Sequence, residues 1–196
     1  MPQEPMRKGR VEAFSDGVIA ILITIMVLEL RLPHGSDWPS LRTLLPTFLS
    51  YVLSFIFLGI YWNNHHHMFH AVERVNGKVL WANLHLLFWL SLVPFVTGWM
   101  GETHLATVPT AVYGAVLLLS GMAYTILQHT LIVLEGPRGK LAGAVGHDIK
   151  GKLSVVLYAL AIALAFVVTW IAAGIYVLVA LIWLSPDPRI ESKLTE

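Results

Sequence analysis

The residues of this chain able to do chemistry fall in two short stretches and one isolated position. The first stretch is Arg10-Val-Glu-Ala-Phe14-Ser15-Asp16-Gly17, and the second is His65-His66-His67 with His70. The isolated position is Thr24, the single hydroxyl midway along the apolar run Val18–Leu28. A carboxylate at the edge of such a run is costly unless it is paired or functional, so Asp16 needs a partner or a task. Ser15 and Asp16 are also good helix N-caps, able to take an orphan backbone amide for about 1 kcal/mol. His66 and His70, at i and i+4, share a helix face and suit zinc if a third ligand such as Glu73 is near; interfacial hydrogen bonding and proton sensing are the other readings. Cysteine is absent, which excludes disulfides and thiol chemistry. No phosphate loop, nucleophile–base pair or acid pair is visible, so no catalysis, resident cofactor or bound metal is expected. The basic segments are too short and too poor in aromatics for nucleic-acid binding.

These residues have to be positioned by membrane helices. Of 196 residues, 56% are hydrophobic and 13% charged, against roughly 25% charged in soluble domains. Mean hydropathy is +0.69. The reading is an all-α integral membrane protein, one unit over 1–196. Its six spans fall near 13–31, 43–68, 79–100, 108–134, 152–168 and 171–185. The last two come from an uncharged tract, Leu153–Leu184, which as one helix would be about 48 Å long, too long for a bilayer core of about 30 Å. It is therefore folded at Thr169-Trp170-Ile171. Eleven of the thirteen Lys and Arg then lie on one side, with Arg31 and Arg42 on the other, which places both termini in the cytoplasm. No cleavable signal peptide is expected.

At about 100° per residue, Gly17, Ile21, Thr24 and Leu28 share one face of the first helix. In a symmetric oligomer that face stacks apolar rings around a hydroxyl ring, and apolar rings can gate by dewetting. The same small and hydroxyl residues also suit ordinary helix packing. Glu29, at the outer end, either rings a pore mouth or pairs with Arg31 or Arg42.

The string Arg10-x-x-x-Phe14-Ser15-Asp16, continuing Gly-Val-Ile-Ala-Ile-Leu-Ile-Thr-Ile-Met-Val-Leu-Glu29, resembles the signature of the transmembrane protein 175 family of potassium channels, most closely its prokaryotic branch. Trp62-Asn-Asn-His-His-His67, Trp81-x-Asn83, Pro94-Phe-x-Thr97 and Pro186-Asp-Pro-Arg-Ile-Glu191 extend the resemblance over the whole chain. It implies a homotetramer in the plasma or inner membrane of a prokaryote, weakly selective for potassium over sodium, with potassium as the permeant ion. The first helix would line the pore, with Ile21 and Leu28 as constrictions, Thr24 in a selective hydroxyl layer, and Gly17 and Ile25 also pore-lining. It further implies a polar network in which Arg10, Phe14, Ser15 and Asp16 meet His65 or His66 and Trp81 or Asn83. The rival readings are a secondary transporter or a metal or proton exchanger using His65–His70, and a membrane enzyme or haem protein.

Overall fold

The computed structural model describes residues 6–136, 139–145 and 148–184. Its helices are α1 (Gly9–Leu28), α2 (Trp38–Arg42), α3 (Leu45–His70), α4 (Gly77–Ser91), α5 (Val93–Glu102), α6 (Thr107–Glu135), α7 (Lys140–Val145), α8 (Ile149–Ala165) and α9 (Thr169–Leu184). Two-residue strands β1 (Met6–Arg7) and β2 (Arg74–Val75) pair antiparallel, a small departure from an all-helical chain. The Pro186–Glu191 string, Arg138 and the basic tail lie outside the described residues.

Among the described residues, four helical stretches are long and apolar enough to cross a bilayer: Gly9–Leu28, Leu45–His70, Gly77–Glu102 and Thr107–Glu135. The third is interrupted at Leu92, where α4 gives way to α5, because Pro94 in the first turn of α5 has no N–H to continue the ladder. The C-terminal tract is a hairpin whose turn spans Phe166–Val168, so Thr169 opens α9 and does not sit in the turn. The β-branched run Val167-Val168-Thr169 favours this earlier break. α1 begins at Gly9, four residues before the expected start, with Lys8 at its N-cap. Ser15 and Asp16 are therefore interior helical residues and cap nothing.

The core lies among α3, α4, α5 and α6, with Leu58, Leu86, Leu90, Tyr113, Leu117 and Leu127 fully enclosed. Small residues set the closest approaches. A Cβ on Gly101 would lie 2.7 Å from the Thr47 Cα, so α5 meets α3 nearly backbone to backbone. Gly114 leaves the space taken by the Tyr176 hydroxyl, which donates to the Thr110 carbonyl at 3.0 Å and locks α9 onto α6. Ser54 of α3 accepts from Thr97 of α5 (2.6 Å) and lies 2.9 Å from the Tyr113 hydroxyl of α6, giving the core a polar stitch.

Candidate pore helix and its buried anchor

α1 is divided lengthwise. Val11, Ser15, Ile19, Leu22 and Met26 are buried, at spacings of four, four, three and four. They form one stripe packed on the rest of the chain. Gly17, Ile21, Thr24, Ile25 and Leu28 are all exposed, and most of them project roughly opposite that stripe. Leu28 is 78% exposed. The Thr24 hydroxyl lies 2.9 Å from the Ile21 carbonyl and 3.2 Å from that of Ala20. Its one proton is thus spent within the helix, and the oxygen lone pairs remain as acceptors on the exposed face.

The buried stripe carries one polar residue, and that residue is tied to two other helices. Asn83 of α4 donates its amide N–H to the Ser15 Oγ at 2.9 Å, and its carbonyl oxygen lies 2.8 Å from the His65 Nε2 of α3. The Ser15 hydroxyl in turn donates to the Val11 carbonyl at 2.8 Å. The direction of the chain is forced. With the amide nitrogen donating to Ser15, the amide oxygen has to accept, so His65 carries its proton on Nε2. All three side chains are buried, and their hydrogen bonds tie α1, α3 and α4 together.

The family model described as "Endosomal/lysosomal potassium channel TMEM175" matches residues 10–94, which hold both the divided helix and this anchor. A potassium channel of Chryseobacterium sp. (strain P1-3) is 58% identical over 97% of this chain and all of its own length. The chain belongs to the TMEM175 family. A potassium channel of Streptomyces collinus is 36% identical, covering 81% of this chain and 82% of its own. The crystal structure of a lysosomal potassium-selective TMEM175 homolog from Chamaesiphon minutus superposes with a TM-score of 0.79 at 30% identity, over 90% of this chain and 96% of that one. The human relative, named an endosomal/lysosomal proton channel, is 39% identical over 43% of this chain but only 19% of its own length. Each of these relatives is named as an ion channel, a non-enzymatic function.

Other expected members of the network are arranged differently in this TMEM175 chain. Among the described residues Asp16 is bonded to none of His65, His66 and Asn83; its Oδ1 accepts the indole N–H of Trp62 at 3.0 Å. Trp62 lies three residues before His65, close to the same α3 face. Arg10 makes no ion pair among the described residues. It is six residues, or roughly 120° around the helix, from Asp16. Trp81 is 76% and Phe14 55% exposed, so neither takes part in the anchor within one chain. His66 is exposed and stacked between Trp62 and His70, with ring centroids at 6.0 and 6.2 Å. Among the described residues no three His, Asp or Glu side chains are grouped to hold a metal ion, so Glu73 does not complete a zinc site. His85 accepts from Trp89 of its own helix at 2.9 Å.

At the other end of α1, Arg31 pairs with Glu102 at 2.8 Å and not with Glu29. Glu29, the C-cap residue, lies over Gly98 of α5, where a Cβ would come 3.1 Å from its Oε2. Lys8 closes the opposite end, donating its ammonium to the Phe69 carbonyl at 2.9 Å and so capping the C-terminus of α3.

Proposed function

We propose that this TMEM175 family member is a potassium-permeable channel of a prokaryotic plasma membrane, built from four copies around a pore lined by α1. The observation that carries the reading is the lengthwise division of α1. One stripe is buried in its own chain, while the opposite face, of mixed apolar and hydroxyl character, is covered by none of the described residues. Four such faces around an axis enclose Ile21 and Leu28 as constrictions, with Thr24 between them and Gly17 and Ile25 also along the lining. Thr24 lone pairs replace part of the hydration shell of a passing cation, whereas the aliphatic rings coordinate nothing. Selectivity for potassium over sodium is accordingly modest. Glu29 adds negative potential at the outer mouth. The Ser15–Asn83–His65 anchor and the Trp62–Asp16 bond hold the lining in place without touching the ion.

Both termini lie in the cytoplasm, on the side that carries most of the Lys and Arg. Six crossings follow, with α8 and α9, of 17 and 16 residues, reaching only about 25 Å each and drawing the bilayer thinner around them. The test is a planar-bilayer recording of purified protein under bi-ionic potassium and sodium. Unitary currents whose reversal favours potassium are expected, and Thr24→Val should move that reversal toward zero. Silent bilayers, or an unchanged reversal in Thr24→Val, overturn the reading.

A further inference from the structure

A second concavity lies away from α1, between α3, α6, α8 and α9. Its enclosed volume is about 40 Å³, beneath a wider mouth open to solvent. Among the described residues its walls carry the aromatic rings of Phe57, Tyr61, Tyr124, Tyr158 and Trp183, with Asp148 as the one carboxylate. Tyr61 and Tyr124 meet edge to face at 6.2 Å, and Phe57 and Tyr158 tilt together at 6.3 Å. Neither the Tyr61 nor the Tyr124 hydroxyl makes a hydrogen bond among the described residues, so two polar groups line the space without partners.

Asp148 is held rigidly. It is the N-cap of α8 in a left-handed backbone conformation (φ 37°), and one carboxylate oxygen accepts the Gly151 amide at 3.0 Å. The other oxygen accepts no hydrogen bond among the described residues. Gly151 leaves it room, because a side chain there would collide with the carboxylate. Trp183 is fixed by donating to Ser154 at 2.8 Å. Rings held in place around a space with a carboxylate on its wall form the chemical pattern that receives an organic ammonium ion, whose charge is attracted by the ring faces. A mostly apolar pocket between bundle helices, with a few convergent polar groups, is a usual ligand site.

We propose that this pocket binds a small organic ammonium ion carrying an apolar body, with the charge toward Asp148 and the body among the tyrosines and Trp183. The site belongs to each chain separately and is lined by no residue of α1. Tyr61 is the neighbour of Trp62, so an occupant presses on the turn of α3 that holds Asp16, and it can thereby bias the pore helix.

The test is equilibrium binding of radiolabelled benzyltrimethylammonium to the full chain in lipid nanodiscs. The expected stoichiometry is one ion per chain. Asp148→Asn keeps the cap, since the amide oxygen still accepts the Gly151 N–H, and should weaken binding about tenfold. Trp183→Leu, which keeps apolar bulk without the ring, should weaken it similarly, while Trp183→Phe retains it. Gly121→Leu, filling the space beside the Tyr61 hydroxyl, should abolish it; helicity measured by circular dichroism verifies that each variant is folded. One ion per four chains indifferent to Gly121→Leu, unchanged affinity in folded Asp148→Asn, or no saturable binding would each overturn the proposal.

Discussion

The sharpest consequence of the buried anchor concerns Asn83. Replacing it with leucine, close in volume, removes both interhelical hydrogen bonds while leaving the packing nearly filled. Interhelical hydrogen bonds in membrane proteins average about 0.6 kcal/mol each, so their loss alone accounts for about 1 kcal/mol. The partners fare unequally. Ser15 still donates to the Val11 carbonyl and gives up only an accepted bond. His65 is buried and loses the acceptor of its Nε2 proton, leaving a donor with no partner at about 1–3 kcal/mol. The expected destabilisation is therefore about 2–4 kcal/mol, most of it from the histidine. That attribution has a sign test. In Asn83→Leu/His65→Leu the stranded donor is gone, so the double variant should be more stable than the sum of the two single variants by at least about 1 kcal/mol. The assay is unfolding in detergent at fixed protein concentration, with oligomeric state monitored. Additive energies, or an Asn83→Leu loss below about 0.5 kcal/mol, would refute the idea that a forced donor chain holds α1 to α3 and α4.

Three further outcomes test other parts of the structure. Trp62→Phe keeps the ring but strands one Asp16 oxygen at a partly wet site; it should cost about 0.5–1.5 kcal/mol and raise amide exchange in the first turns of α1. Gly114→Ala should destabilise by more than about 2 kcal/mol, because the new methyl meets the Tyr176 hydroxyl, and Tyr176→Phe in the same chain should recover a good part of that loss. Hydrogen bonds from Ser40 hold the Asp37 carboxyl below its ordinary value, so the cap of α2 contributes fully above the unfolded-state value and is lost as pH falls through the depressed one. Amide exchange at Ser40, followed down a pH series and corrected for intrinsic rates, should accelerate only in that acid range.

The spans were readable because a bilayer demands long apolar runs, and such runs stand out whatever they pack against. Their ends were less readable for the same reason. Hydropathy marks where a helix leaves hydrocarbon and not where hydrogen bonding stops, so Gly9–Glu12 went unnoticed as the first turn of α1. The break at Leu92 was signalled by Pro94, whose missing N–H matters more than the apolar character around it. The exposed face of α1 was legible in the four-three-four spacing of Gly17, Ile21, Thr24 and Leu28. The partner of Asp16 was not. Membrane tryptophans so often serve as interfacial anchors that the type of Trp62 hides its hydrogen bond. The β1–β2 ribbon, two residues a side, leaves no periodic trace at all.

The arrangement also explains why adjacent residues of one motif have opposite fates. Ser15 and Asp16 are consecutive, so about 100° separates them on the helix, and only one can enter the stripe between α3 and α4. A hydroxyl can be buried there because one carbonyl and one amide satisfy it completely. A carboxylate in the same place would need a cation or several donors to repay its lost hydration. Of the positive charges nearest in sequence, Lys8 caps α3, and Arg10 is exposed without an ion pair among the described residues. Placing serine inside, against the Asn83 amide, and aspartate at the edge, against an indole N–H, gives α1 one attachment to α4 and one to α3 at no cost of a buried charge. Ser15→Asp should therefore lower stability, measured by unfolding in detergent, far more than Asp16→Ser, although both leave a serine or aspartate at each position.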